Sequence, residues 1–231
     1  MQDTQHKEMK KIKDPIYGYI SVDINYMKNI IDTPVFQRLR RVMQTSYSPL
    51  YSSALHNRFV HSLGVYHLGT IVSESLRESL EEMSIESSQI DKLIHVYLLA
   101  CLLHDVGHAP FSHTGELFYK FYKGDIEDLF GASKLHERLC TLIESEQFTK
   151  DLPGESQSAA PHEIMSAIVG IKEFDSVIGD KENLEFFARC ITGYKYSINM
   201  DVNHIKNCFI YCTIEKKEGN TRCHYEEKVF A

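Results

Sequence analysis

The stretch of the chain richest in chemically capable side chains is HDVGHAPFSH, which places His104, Asp105, His108 and His113 within ten residues. Upstream, HNRFVHS supplies His56, Arg58 and His61 on a separate segment. His104 and Asp105 directly follow IDKLIHVYLLACLL, Ile90 to Leu103, the most apolar run in the sequence. A carboxylate buried there without a partner would cost several kcal/mol to desolvate. A divalent metal is such a partner, because neutral imidazole and carboxylate both ligate Zn, Mn, Fe or Mg-type ions and adjacent positions at a helix end can converge on one ion. For an isolated His-Asp pair, a turn-capping carboxylate beside a core histidine is the simpler reading. Several imidazoles arriving from separate segments favour a metal centre instead.

Other chemistries find no support. The sequence contains no phosphate-binding glycine loop, serine-hydrolase elbow, HExxH helix or CxxC pair, which excludes the enzyme classes built on them. The six cysteines, Cys101, Cys140, Cys190, Cys208, Cys212 and Cys223, are scattered and read as reduced structural thiols. Cys208, Cys212, Cys223 and His224 are too irregularly spaced for a zinc site.

The elements that must position these residues are mostly helical. Lys13 to Ile20, KDPIYGYI, reads as a short extended piece or hairpin. Asp32-Thr33-Pro34 reads as a helix start, with Val35, Leu39 and Val42 following at helical spacing. Ser62 to Glu82 is periodic, and Ile90 to Leu103, apolar nearly all round, marks a helix through the middle of the molecule that His104-Asp105 closes and Gly107 stops. Further helices are expected over 115–123, 134–145, 162–169 and 183–192, with a loop over 153–161. A helical start near Val202 to Ile210 fades into YCTIEKKEGNTRCHYEEKVFA, which reads as an atypical polar tail, truncated or altered by a shifted reading frame.

Composition bounds the partners. With 231 residues, 43% hydrophobic and 25% charged, the chain has the profile of one folded domain. Its 25 Lys and Arg against 32 Asp and Glu give a formal charge of −7, which disfavours nucleic acid as a partner. The absence of a long apolar run or a signal-like N-terminus predicts a cytoplasmic protein with no membrane contact.

HNRFVHSLGVYHL followed by LLHDVGHAPFSHTGE resembles the HD-domain metal-dependent phosphohydrolases, and within them the deoxynucleoside triphosphate triphosphohydrolase branch. DPIYGYI and IIDTPVFQRLRRVMQ are similar to that branch as well, so the likeness runs in order from Asp14 to Gly170. It implies an all-α fold, a helical bundle around a metal site over residues 1–210 with a short N-terminal β-hairpin or extended segment, and residues 211–231 as the tail. The implied metal ligands are His61, His104 and Asp105, holding a divalent transition metal (Mn, Fe, Ni or Zn) or Mg. The family's fourth ligand, an Asp on a late helix expected after Ile210, has no convincing match; Asp201 is a possible substitute but does not sit in the expected pattern. His108, His113 and Glu116 match positions beside the metal where imidazole handles protons. A further site histidine is His136 or His162, and His162 is preferred because APHEIMSAIV continues into a cleaner helix. Arg58 matches a phosphate-binding arginine, consistent with guanidinium chemistry. Gln44 matches a residue that meets the nucleoside, whereas Gln37, Arg38 and Arg40 read as helix-surface or salt-bridge residues. The resemblance thus implies a nucleotide substrate, hydrolysis of deoxynucleoside triphosphates to nucleoside and triphosphate, and an allowed homo-oligomer. Two alternatives stand beside it: hydrolysis of another phosphate ester (a nucleoside monophosphate, cyclic nucleotide or alarmone), and a catalytically silent nucleotide-binding or regulatory module.

Overall fold

The computed structural model of the chain describes residues 8–45, 55–116, 159–196 and 201–214, the last with side chains over 203–210. It is mostly helical, with a two-stranded antiparallel hairpin at its start: β1, Met9–Asp14, pairs with β2, Gly18–Asp23, in the register Asp14↔Gly18 to Met9↔Asp23. The turn follows from its residues. Asp14 Oδ1 accepts the backbone N–H groups of Ile16 and Tyr17, and Gly18 supplies the left-handed φ of +77° that closes the loop. Ile20 and Val22, two apart on β2, are buried, so one face of the hairpin seals the core.

After β2 the chain enters α1, Ile24–Tyr26, which widens into a π-helical turn over Met27–Ile31. Thr33 then caps α2, Pro34–Gln37, with Pro34 at the first helical position as expected. The helix expected to carry Val35, Leu39 and Val42 is corrected here: α2 lasts one turn, tightens into a 3-10 turn over Arg38–Arg41, and gives way to an extended Val42. Tertiary pairing overrides the pattern. Val42 to Gln44 runs antiparallel to His56 to Arg58, with Arg58 N donating to Val42 O and Gln44 N to His56 O.

The body of the fold is helical. Asn57 caps α3, Arg58–Glu82, whose start lies four residues before the periodic stretch at Ser62. α4, Ser87–Leu103, is the central helix, with Leu99, Leu102 and Leu103 fully buried, and it packs against α3, α5 and α6. α5, Pro161–Ile178, runs well beyond the expected 162–169 and is bent at Phe174, where φ is −130°. α6, Lys181–Thr192, opens on an Asp180 cap and closes at Gly193 with a left-handed φ. The last helix, α7, spans Asp201–Ile214, past Tyr211 where the sequence pattern fades. The expected helix over 134–145, most of the loop over 153–161 and the end of the tail lie outside the described residues, as does all of the helix expected over 115–123 beyond Glu116. Among the described residues no helix is long and apolar enough to cross a membrane.

Candidate metal centre and active site

α4 delivers the chemistry to the centre of the molecule. The chain leaves that helix at Leu103 in a tight turn, with Val106 N bonded to Leu103 O and His108 N to Asp105 O, so that His104, Asp105 and His108 are presented together. Gly107 permits this, because a Cβ there would lie 2.3 Å from Ser166 N and 2.4 Å from the carbonyl carbon of Met165 on α5. In its place Gly107 N donates to Ser166 Oγ at 2.9 Å, tying the turn to α5.

His61, projecting from α3, meets this turn. Its Nε2 lies 3.2 Å from His104 Nε2, while Asp105 Oδ2 is 3.7 Å from the former and 3.5 Å from the latter. His104 Nδ1 donates to Cys101 O at 2.9 Å, which leaves its Nε2 with a free lone pair facing His61. Two nitrogens each bound at 2.0–2.1 Å to one tetrahedral ion would sit about 3.3 Å apart. The donor set therefore fits a single divalent ion, and among the described residues no fourth ligand-type group joins it. Asp201, the possible substitute for a fourth ligand, opens α7.

A second group lies beside the triad: His108, His113, Glu116 and His162. His113 and Glu116 sit on or after a 3-10 turn, Ser112–Gly115, and His162 sits in the first turn of α5. Glu116 Oε1 accepts Nδ1–H from both His113 (2.6 Å) and His162 (2.7 Å), fixing one tautomer in each and leaving each Nε2 as an acceptor. That of His113 is used by Arg58 Nη2 at 3.3 Å. His108 stacks on the His162 ring at 4.2 Å and is wholly buried, yet neither of its ring nitrogens has a hydrogen-bond partner. Gln44 Oε1 is buried and without a partner too. Orphaned polar atoms of this kind ask for a polar ligand.

Arg58 joins the two groups. Only 2% exposed, it donates through Nη1 to Asp105 Oδ2 at 2.6 Å and through Nε and Nη2 to Ser112 Oγ, with Nη2 also reaching Gln44 O and His113. Ser112 is held in a left-handed conformation, φ +54°, uncommon for a residue with a side chain. Electrostatics follow from this packing. Burial alone would raise the Asp105 carboxyl, but His104 and Arg58, with His108 and His61, hold it well below the usual carboxylate range. Burial, then the neighbouring His104 imidazole, pushes His61 down to about 4 against the pull of Asp105. Burial likewise pushes His108 down to about 2, and it lowers His162 against the pull of Glu116 and Glu163. These three imidazoles are neutral at pH 7, the state a metal ligand or a proton acceptor needs.

Each residue singled out in the sequence thus has a place. His61, His104 and Asp105 come together; His108, His113, Glu116 and His162 form the adjoining group; Arg58 and Gln44 border both. His136 lies outside the described residues. Arg38 is a correction: rather than lying on a helix surface, it donates to the backbone carbonyls of Val106 and His108. No local pattern signals this, because the bond spans about seventy residues of chain. Ser112 was missed as well, although its place inside HAPFSH marked it.

Residues 58–172 match the HD domain family, and the chain belongs to it. Within that class it is similar to the deoxynucleoside triphosphate triphosphohydrolases named SAMHD1. That of Bos taurus is 43% identical over 114 residues, 49% of this chain and 18% of the relative, and that of Homo sapiens is 44% identical over 106 residues, 46% and 16%. The uncharacterized protein YwfO of Bacillus subtilis is 38% identical over 122 residues, 52% of this chain and 26% of YwfO. A solved structure of a hypothetical protein from Aquifex aeolicus superposes with a TM-score of 0.51 at 26% identity, over 88% of this chain and 41% of that one. The matched stretch spans less than a third of these curated relatives.

Proposed function

We propose that this chain is a metal-dependent nucleotide phosphohydrolase that converts deoxynucleoside triphosphates to deoxynucleoside and triphosphate. The observation that carries the reading is the convergence of His61, His104 and Asp105 beside imidazoles whose tautomers Glu116 fixes. The similarity to proteins named as triphosphohydrolases supports the substrate class.

His61, His104 and Asp105 would hold a divalent ion of the Mn, Fe, Ni, Zn or Mg type. Such an ion, when bound, acts as a Lewis acid on phosphoryl oxygens and lowers the pKa of water. The protein's own groups do the rest. Glu116 orients His162 so that its Nε2 takes or returns a proton, and His108, neutral and with neither ring nitrogen hydrogen-bonded, offers a second nitrogen in the same space. Arg58 places a fixed positive charge between the two groups, where polyphosphate oxygens would bring negative charge. Gln44 Oε1 is an acceptor suited to a nucleoside donor.

The test is a panel of nucleotides incubated with the Mn-loaded protein and resolved by phosphorus NMR and chromatography. Deoxynucleoside and inorganic triphosphate are expected in equal amounts. Release of orthophosphate alone would overturn the triphosphohydrolase assignment, and turnover of monophosphates or cyclic nucleotides in its place would move the chain to another HD activity. One observation favours a second reading: among the described residues the triad has three ligands. A silent nucleotide-binding module predicts that nucleotide raises the Tm with no product formed.

A further inference from the structure

We propose that Arg38 is a positioning residue for the metal-ligand turn, acting through the backbone of residues 104–108. The inference rests on the reading of His104 and Asp105 as metal ligands. Two of the three ligands of the triad, with His108 of the adjoining group, sit on this one turn, while His61 comes from α3. Metal affinity therefore depends on how rigidly the turn is held relative to α3.

Arg58 grips the turn through the Asp105 side chain, and other contacts hold its backbone. Internal bonds tie it to α4, Ser166 Oγ accepts Gly107 N from α5, and Arg38 bonds two of its carbonyls from the N-terminal side. Arg38 Nη1 donates to His108 O at 2.8 Å and Nη2 to Val106 O. The two carbonyls flank Gly107, the residue whose missing side chain gives the turn least intrinsic rigidity. A planar guanidinium fixes the separation and direction of both bonds at once, so it sets the orientation of the two peptide planes; an ammonium is a point charge that reaches one carbonyl well.

Arg38 is itself braced. Its 3-10 turn is anchored by Leu39, fully buried, and by Arg40, whose guanidinium lies 3.6 Å over the Phe59 ring beside Arg58. From Thr33 through Arg38 to the pairing of Val42 with Arg58, the short N-terminal elements form a strut between the start of α3, which carries His61, and the turn, which carries His104 and Asp105. That strut gives the α2 segment a role in the site that its sequence does not announce.

The test compares Arg38→Lys with wild type and with Ile191→Val, a conservative buried substitution on α6 that leaves Arg38 and every residue of the turn intact. Mn2+ affinity is measured by competition with a fluorescent chelator, and the Tm of each full-length protein is measured metal-free in excess chelator. Arg38→Lys is expected to bind Mn2+ at least about tenfold more weakly, the size of effect seen when a support behind a metal ligand is removed, and Ile191→Val to bind as wild type does. Arg38→Gln, which retains one amide donor group, is expected to fall with the Lys variant and replaces it if that variant does not fold. Wild-type Mn2+ affinity in Arg38→Lys would overturn the proposal. So would a loss of affinity that follows the loss of metal-free Tm equally in Arg38→Lys and Ile191→Val. A wild-type protein that takes up no Mn2+ would instead remove the metal reading, and this role with it.

Discussion

At the scale of single residues, burial keeps the His61, His108 and His162 imidazoles neutral, while the neighbours of Asp105 keep its carboxylate ionised. His61 and His108 have folded pKa values of about 4 and about 2, against about 6.5 in an unfolded chain. Between those limits the unfolded state binds more protons, so stability falls as pH falls from about 6.5, and it is flat above that range as far as these groups go. Asp105, depressed in the fold, adds stability that is lost only in stronger acid, as pH falls through its folded pKa. The metal-free protein is accordingly expected to lose Tm steadily from pH 7 to pH 5, and His108→Gln to flatten that slope; a Tm constant over this range in wild type would contradict the assignment. Glu116 carries a different prediction. Its oxygen fixes two imidazoles, so Glu116→Gln is expected to lower kcat by about tenfold to a hundredfold with metal content unchanged, read by steady-state kinetics beside elemental analysis. Unchanged kcat would mean that neither imidazole acts through the carboxylate.

At the scale of elements, the junction between α4 and α5 decides whether the two groups meet. Gly107 lets the backbone of Ser166 approach to a distance no side chain would allow, and α5 carries His162. Gly107→Ala is expected to push α5 away, at a cost of about 2–4 kcal/mol, a fall in Tm on the order of 5–15 °C; an unshifted Tm by calorimetry would show that the junction yields freely. Much of this framework is legible in the sequence. The all-round apolar run of α4, the Thr33-Pro34 start and the DPIYG turn each follow from local chemistry that the fold obeys. What the sequence conceals is non-local. The early end of α2 comes from Val42 pairing with Arg58, and the task of Arg38 comes from carbonyls far along the chain. Of the candidate site, the HD stretch and the upstream His61 stand out by type and spacing. The choice of His162 rested on the helix that follows it, and only packing shows which imidazoles share the Glu116 oxygen.

At the scale of the whole molecule, the N-terminal hairpin, the short α2 strut and the α3 to α6 body surround one chemical centre. Tyr26 shows how the layers are joined away from that centre: its hydroxyl meets His95 Nδ1 at 2.6 Å, and the other ring nitrogen of His95 donates to Val177 O, linking the N-terminal segment, α4 and α5 in one chain of bonds. The central claim is that His61, His104 and Asp105 bind a divalent metal. The direct measurement is elemental mass spectrometry of the purified protein beside the double variant His104→Ala, Asp105→Ala, each after reconstitution with Mn2+ and desalting. Near-stoichiometric metal in the wild type and none in the folded variant is the expected result. A wild type that stays empty, or a variant that retains equal metal, would contradict it.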